Sequence, residues 1–517
     1  MDKKVIRYLL LLSFIEGAIV MGTELLGAKM LAPFFGSSLY VWSSVMAITL
    51  GGLAAGYFFG GILSSQKKNV IILYRVLLIA ALFTVLLPYT SKIALSIFGL
   101  RSLMPAVIAS SLLILFPPVF LMGAVSPLII GNISKNGKDS GRAAGTVYAI
   151  STVGGILSTF LFGFYIIPNF GLTIPSIISG LVLGILPLIS LLKKKDFKSL
   201  LLYSFIILLS IFQIYKHLNF NLNHQNKIKL LYKKEGLLGQ IMVLDYANDY
   251  YFDDSTLVGQ NSRWLYVNRI SQTKDNPYAR IEKGEERYFS YVYRFTQLLN
   301  NLPNENKNIL LLGLGGGSIA KHLTNNGFKV EVCELDARME QVARKYFGLP
   351  KSVNVTIDDA RHYIKTHNKK YDAIIFDTFR GEETPHHIIT KESLEEVKKI
   401  LKPKGYLLIN SYNFIEGEKG LGLRSIYVTL KNSGFNTSIW STDDNIGDRN
   451  LLFISSFENH PIYPDYLDLK EIDFSDAQVL IDEYPSFELL NSRASLVWRK
   501  WAIGNYFGDK NELNIAQ

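Results

Sequence analysis

The chain has 517 residues, 49% of them hydrophobic, and carries 54 lysines and arginines against 44 aspartates and glutamates, for a formal charge of +10. That length admits two or more domains, and the charge is unevenly spread: residues 1–217 hold 17 basic against 5 acidic side chains, the remainder 37 against 39. The basic excess therefore belongs to an apolar half and implies no nucleic acid, while a single cysteine, Cys333, excludes an intramolecular disulfide.

Apolar runs long enough to cross a bilayer fill the first 217 residues and are absent afterwards. Seven spans are expected, at about Leu9 to Leu31, Leu39 to Leu63, Val70 to Leu87, Leu103 to Ile130, Ala143 to Pro168, Leu172 to Leu192 and Leu200 to Ile214. The first follows Lys3, Lys4 and Arg7 but lacks a small-residue cleavage site, so it reads as a retained span and not as a signal peptide. Gly51, Gly52, Gly56, Gly60, Gly61, Gly145, Gly154 and Gly155 recur at spacings that let helices pack closely in lipid. Glu16, Glu24 and Lys29 lie inside the first span, where ionisable groups are costly; Glu24 with Lys29, or Glu16 with Arg75, would offset that cost. Lys67, Lys68, Lys135, Lys138, Arg142 and Lys193 to Lys195 fall on the same side as the N-terminus, the side that charge bias makes cytoplasmic. An odd number of spans then delivers everything after residue 217 to the opposite side.

The polar stretch 218–230 reads as a linker. From Lys233 to Thr273, short alternating segments such as IMVLDY and RWLYVN predict a small antiparallel sheet with turns at Asp253-Asp254 and Asn261. RYFSYVYRFTQLL, residues 287–299, predicts an amphipathic helix whose Tyr288 and Tyr291 either line a site or belong to the core.

Residues 308–336 then give an apolar strand, a turn with Gly313, Gly315, Gly316 and Gly317, a helix from about Ser318 to Asn325, and a second strand ending in Glu334. Glycines let backbone approach a ligand, and an acid about twenty residues beyond the first of them is where a dinucleotide-type fold grips ribose hydroxyls. Val355 to Ile357 ends in Asp358-Asp359-Ala360, and Tyr371 to Phe376 ends in Asp377. Glycine or carboxylate thus closes four strands on one sheet edge, the edge where open α/β sheets bind ligands. Asp358 could cap the Ala360 to Thr366 helix, and Arg361 and His362 read as solvated. Helix, turn and strand are expected over Val397 to Ile409, a strand pair over Asn436 to Ser455, and a tail helix near 490–505.

GLGGGS, CELD, DDAR and YDAIIFDTF, with WLYVNRISQT upstream and TPHHIITKESL and LIDEYPSFELL downstream, resemble the membrane-fused branch of the spermidine synthase family. The membrane segments EGAIVMGTELLGAKMLAPFFGSSLYVW and GRAAGTVYAISTVGGILSTFLFGFYIIPNFG extend the resemblance over nearly the whole chain. It implies an α-helical membrane bundle (1–217), a linker and small β-domain (218–285), a Rossmann-like class I methyltransferase-type α/β domain (286–458) and a C-terminal tail (459–517). It also implies a donor, S-adenosylmethionine or its decarboxylated form, held by Gly313, Gly315, Gly317, Gln272, Glu334, Asp358, Asp359 and Ala360, with no metal. Asp377 would be the catalytic carboxylate and His387 a second candidate base, with Tyr291, Arg380, Glu382 and Tyr484 on the acceptor side.

Several positions depart from the family. Ser318 stands where relatives carry a loop aspartate and Arg380 where they carry an acid, which disfavours free putrescine; Arg380 suits a carboxylate or phosphate, and so S-adenosylmethionine with its own carboxylate, or an anionic lipid-like acceptor. The expected partners are this donor, an amine or lipid-like acceptor and a membrane, with homodimerisation open. A methyltransferase on the same fold, and a transporter or sensor whose nucleoside domain only binds, are the alternatives. Supply of the donor from the cytosol favours a cytoplasmic soluble domain on a multi-pass protein of the cell membrane, against the charge-bias topology.

Overall fold

A computed structural model describes residues 3–35, 39–65, 69–134, 140–218, 228–236, 238–253, 256–268, 270–276, 287–300, 307–378, 385–442, 449–458 and 467–507. Backbone in hydrocarbon must satisfy its own hydrogen bonds, and the apolar first half does so as helices. They are α1 (Lys3–Phe35), α2 (Leu39–Ser64), α3 (Asn69–Phe98), α4 (Leu103–Gly123), α5 (Val125–Ile133), α6 (Ser140–Leu161), α7 (Ile167–Phe170), α8 (Thr173–Lys193) and α9 (Phe197–Leu218). The pair α4–α5 breaks at Ala124, and α6 continues into α7 through a π-helical turn, Phe162–Ile166. Among the described residues this makes seven helical spans long and apolar enough to cross a membrane.

Glycine sets how closely these helices meet. A Cβ at Gly17 would lie 2.1 Å from the Ser151 carbonyl oxygen and one at Gly154 2.2 Å from that of Phe14, so α1 and α6 touch backbone to backbone. Gly56 and Gly60 do the same for α2 against Phe120 and Ala124, whereas Gly51, Gly61 and Gly145 face open space and make no such contact. The ion pair expected between Glu16 and Arg75 does not form. Arg75 reaches Asp196 at 2.8 Å, and Glu16 instead accepts a hydrogen bond from Ser151.

The chain divides into two compact units, one of residues 1–221 with 234–240 and 499–517, the other of 222–233 with 241–498. In the second unit, β1 (Ile228–Lys234), β2 (Ile241–Asp253), β3 (Thr256–Val267) and β4 (Ile270–Asp275) form an antiparallel sheet in that order. Asn261 is no turn: it pairs with Ala247 inside the β2–β3 ladder, which absorbs an irregularity at Ala247/Asp249 and runs on.

After α10 (Ser290–Asn300), strand and helix alternate. They run β5 (Asn308–Leu312), α11 (Ser318–Asn325), β6 (Lys329–Glu334), α12 (Ala337–Tyr346), β7 (Asn354–Ile357), α13 (Ala360–Thr366), β8 (Tyr371–Phe376), α14 (Lys391–Ile400) and β9 (Leu401–Asn413). Then come α15 (Leu421–Asn432), β10 (Asn436–Ser441), β11 (Arg449–Ser456), and α16 (Phe487–Leu490) and α17 (Ser492–Phe507) of the tail. The strands order as β10-β11-β9-β8-β5-β6-β7, parallel from β5 to β9, with β11 antiparallel to β9 and to β10. Counted from β5 this is 3-2-1-4-5-7-6, the Rossmann-like class I methyltransferase arrangement. Strands of such a sheet are covered on both faces, which is why β8 is buried at all six positions. Strand order reverses between β5 and β8, and the ends of those two strands open the crevice that such a reversal creates.

Candidate active site

The turn after β5 holds three left-handed glycines in five residues, Gly313 (φ 90°), Gly315 (φ 53°) and Gly317 (φ 81°), and Gly317 leads directly into α11. Only glycine takes these angles without strain. Packing also demands two of the loop's glycines: a Cβ at Gly313 would sit 2.2 Å from the Asp377 carbonyl oxygen, and one at Gly316 2.7 Å from the Thr273 methyl. Gly315 is freer, with the Thr273 hydroxyl at 3.1 Å as its one near neighbour. Thr273 fastens the loop to β4, accepting the Gly316 N–H at 2.8 Å. Its neighbour Gln272 is half-buried at the β3–β4 irregularity.

Glu334 closes β6 beneath this loop. One carboxylate oxygen accepts the Leu314 N–H and the other the Asp336 N–H, each at 2.8 Å. Burial pushes its carboxyl above the usual range, and the two N–H groups pull against that. At the end of β7, Asp359 rather than Asp358 caps α13, its Oδ1 accepting the N–H groups of Arg361 at 2.9 Å and His362 at 3.1 Å. Its Oδ2 meets His387 Nε2 at 3.1 Å. Burial raises its carboxyl, but the His362 N–H and His387 outweigh this and hold it below the usual range. Asp358 points to His362 Nδ1, 2.7 Å away, and Ala360 opens α13 against the core.

Asp377 follows β8 directly, next to the first loop glycine, and donates its N–H to Leu312 O at 2.9 Å. Its Oδ1 accepts Asn410 Nδ2 at 2.9 Å. Burial lifts its carboxyl to about 6, with the Asn410 bond pulling the other way. Tyr291 on α10 is buried within electrostatic reach of it: burial first, then the Asp377 charge, drives the phenol well above its ordinary value. Asp377 and Tyr291 thus come together, as do Glu334 with the glycine loop and Asp359 with His387. His387 attends Asp359. Tyr484 is 61% exposed in a turn closed by its bridge to Ile481. Arg380 and Glu382 lie outside the described residues. Among the described residues no cluster of His, Cys, Asp and Glu has the makings of a metal site.

Arg361, expected in solvent, is 7% exposed. Its guanidinium binds Glu396 of α14, Asp482 of the tail at 2.9 Å and Thr390 at 3.2 Å, and it donates to the His387 carbonyl. A cation beside an N-cap acid says nothing in sequence about partners 35 and 121 residues away. Thr273 and Asn410 left a weaker signal by position alone: Thr273 follows Gln272 at the end of the WLYVNRISQT stretch, and Asn410 lies toward the end of β9 as Asp377 does of β8.

Residues 288–433 match the spermine/spermidine synthase domain. The chain carries a spermine/spermidine synthase domain. Over 136 residues, 24% of this chain and 44% of the relative, it is 38% identical to a polyamine aminopropyltransferase of Vibrio vulnificus. It is 29% identical over 196 residues to an N-terminal histidine N-methyltransferase of Emericella nidulans, covering 35% of this chain and 33% of that one. The chain spans less than half the length of these curated relatives. Among solved structures, a probable spermidine synthase from Corynebacterium glutamicum aligns with 52% of this chain and 93% of its own, at 20% identity and a TM-score of 0.37. The matched residues, 288–433, include β5 to β9 and with them Glu334, Asp358, Asp359 and Asp377.

Proposed function

We propose that this protein is a membrane-bound transferase that moves an aminopropyl group from decarboxylated S-adenosylmethionine, or a related group from S-adenosylmethionine itself, to an amine or other nucleophile. The observation that carries the reading is Asp377, a buried carboxyl lifted by burial to about 6 and held by Asn410, set beside the glycine turn at the strand-order reversal. A nucleoside suits the surrounding groups: bare backbone at Gly315, and the acceptor carboxylates of Glu334 and Asp359 at neighbouring strand ends. Glu334 would take ribose hydroxyls with Gln272 alongside, Asp359 and Ala360 the base, and Gly313, Gly315 and Gly317 the backbone approach.

When bound there, the donor supplies an electrophilic carbon beside a sulfonium. An ammonium cannot attack it, so the acceptor must lose a proton. Asp377 orients the acceptor nitrogen and takes that proton, Asn410 fixes the carboxylate, and Tyr291 walls the acceptor side. His387, bonded to Asp359, belongs with the base of the nucleoside in this reading. The aminopropyltransferase of Vibrio vulnificus supports the reaction class, and cytosolic donor supply supports a cytoplasmic position for the domain.

Methyl transfer is the second reading, favoured by the longer match to a histidine N-methyltransferase. Purified protein incubated with each donor decides between them. Release of 5′-methylthioadenosine marks transfer of the side chain, and S-adenosylhomocysteine marks transfer of methyl. Asp377→Asn should keep donor binding and lose product. If neither adenosine product forms while the donor binds, the domain is a sensor and the transferase reading fails.

A further inference from the structure

Inside the helical unit, Glu16 is 2% exposed on α1 and accepts a hydrogen bond from Ser151 Oγ of α6 at 3.2 Å. Among the described residues no lysine or arginine pairs with it, since Arg75 is taken by Asp196. Two phenols are linked to Glu16, one directly and the other through the first. Tyr57 of α2 lies within electrostatic reach of Glu16, and its ring meets that of Tyr148 of α6 edge to face at 5.8 Å. The tyrosines are 36% and 39% exposed, whereas Glu16 is buried.

Depth narrows what this cluster can hold. Glu16 lies nine residues beyond Arg7, about 13 Å along the helix axis, and half the hydrocarbon thickness is about 15 Å. A lipid headgroup does not reach that level. A carboxylate there is costly without a cation, and aromatic faces attract organic ammonium groups. A bare metal ion would need more oxygen ligands than one carboxylate and one hydroxyl supply.

We propose that Glu16, Ser151 and the Tyr57–Tyr148 pair form a binding site within the helical unit for a small primary alkylammonium taken from solution. The proposal stands apart from the chemistry assigned to Asp377 and survives if that assignment fails. It makes the helical unit a receptor or passage for amines.

The test uses full-length protein in phosphatidylcholine nanodiscs and labelled putrescine, in an Asp377→Asn background that silences the proposed acceptor site. Saturable binding is expected, weakened at least about tenfold by Glu16→Gln. Tyr57→Leu should weaken it about two- to thirtyfold, the range of a cation–π contact, and Tyr57→Phe, which keeps the ring, should not. Equal binding with and without Glu16→Gln, at matching unfolding temperatures, overturns the site. Should Glu16→Gln not fold, carbodiimide labelling of Glu16 in the unmutated protein must be slowed by putrescine. Labelling that putrescine leaves unchanged marks a proton site and overturns the proposal, as does loss of putrescine binding in phosphatidylethanolamine nanodiscs, which would assign the site to a headgroup.

Discussion

Under the proposed reaction, Asp377 would couple stability to activity at one carboxyl. Its folded-state value of about 6 lies above that of an unfolded aspartate, so the folded protein binds the proton more tightly. The stabilisation from that proton is complete below about pH 4 and is lost as pH rises through 6. At pH 7.5 the ionised group therefore costs on the order of 3 kcal/mol, and Asp377→Asn should raise the melting temperature there but not at pH 4. Calorimetry at the two pH values checks this. In the proposed reaction the same group acts as base, so activity should show a rising limb with an apparent pKa near 6, and Asp377→Asn should lower turnover by about a hundredfold or more. Asn410→Leu removes the amide that holds Asp377 down, so the limb should move to higher pH. An unmoved limb would separate the pH dependence from Asp377. That a carboxylate ends β8 was legible in YDAIIFD; that burial retunes it and an asparagine from β9 opposes the shift was not, because both depend on β8 and β9 lying side by side.

The glycine turn and the Arg361 junction decide how whole elements hold together. At Gly313 a methyl meets both a left-handed angle and a backbone carbonyl 2.2 Å away, so Gly313→Ala should cost about 3 kcal/mol or more. Gly315→Ala faces only the Thr273 hydroxyl and should cost about 1 kcal/mol while weakening donor binding; thermal unfolding paired with donor titration separates the two. Strand, glycines, helix, strand and acid were readable because each is local. The reason for Gly313 was not: Asp377, which crowds it, is 64 residues downstream. Arg361 extends the point, joining α13, α14, the 386–390 turn and the tail through one cation. Arg361→Met removes the buried cation, leaving Glu396 with Lys365 at 3.5 Å and Asp482 with the Thr390 hydroxyl, and should cost about 3 kcal/mol at pH 7. Its bond to Arg361 holds Asp482 below its usual range, so that share of stability is present above about pH 4 and lost as pH falls further. The gap between Arg361→Met and the parent should narrow in acid, and a gap constant down to pH 3 would remove Asp482 from the account.

At the scale of the whole molecule, seven apolar spans carry a strong consequence because seven is odd. If all seven cross a membrane, the connection between α2 and α3 and the chain after Leu218 lie on opposite faces. Two forces then disagree about which face is cytosolic. Lysines and arginines crowd the N-terminal side, and charge bias draws that side inward at insertion. The proposed donor is made in the cytosol, and a domain that consumes it works only there. Insertion bias is a kinetic preference set by short loops, whereas access to substrate is a condition for any turnover, so the proposed function predicts a cytosolic domain. Alkaline phosphatase fused after Leu218 should therefore be inactive and the same reporter in the Lys67–Lys68 loop active, with green fluorescent protein giving the reverse. Activity after Leu218 would place the rim of Glu334, Asp359 and Asp377 away from any cytosolic nucleoside and remove the supply on which the transferase reading depends. Activity at both positions, or at neither, would contradict an odd number of spans and make the short last helix, Phe197–Tyr215, a surface segment and not a crossing.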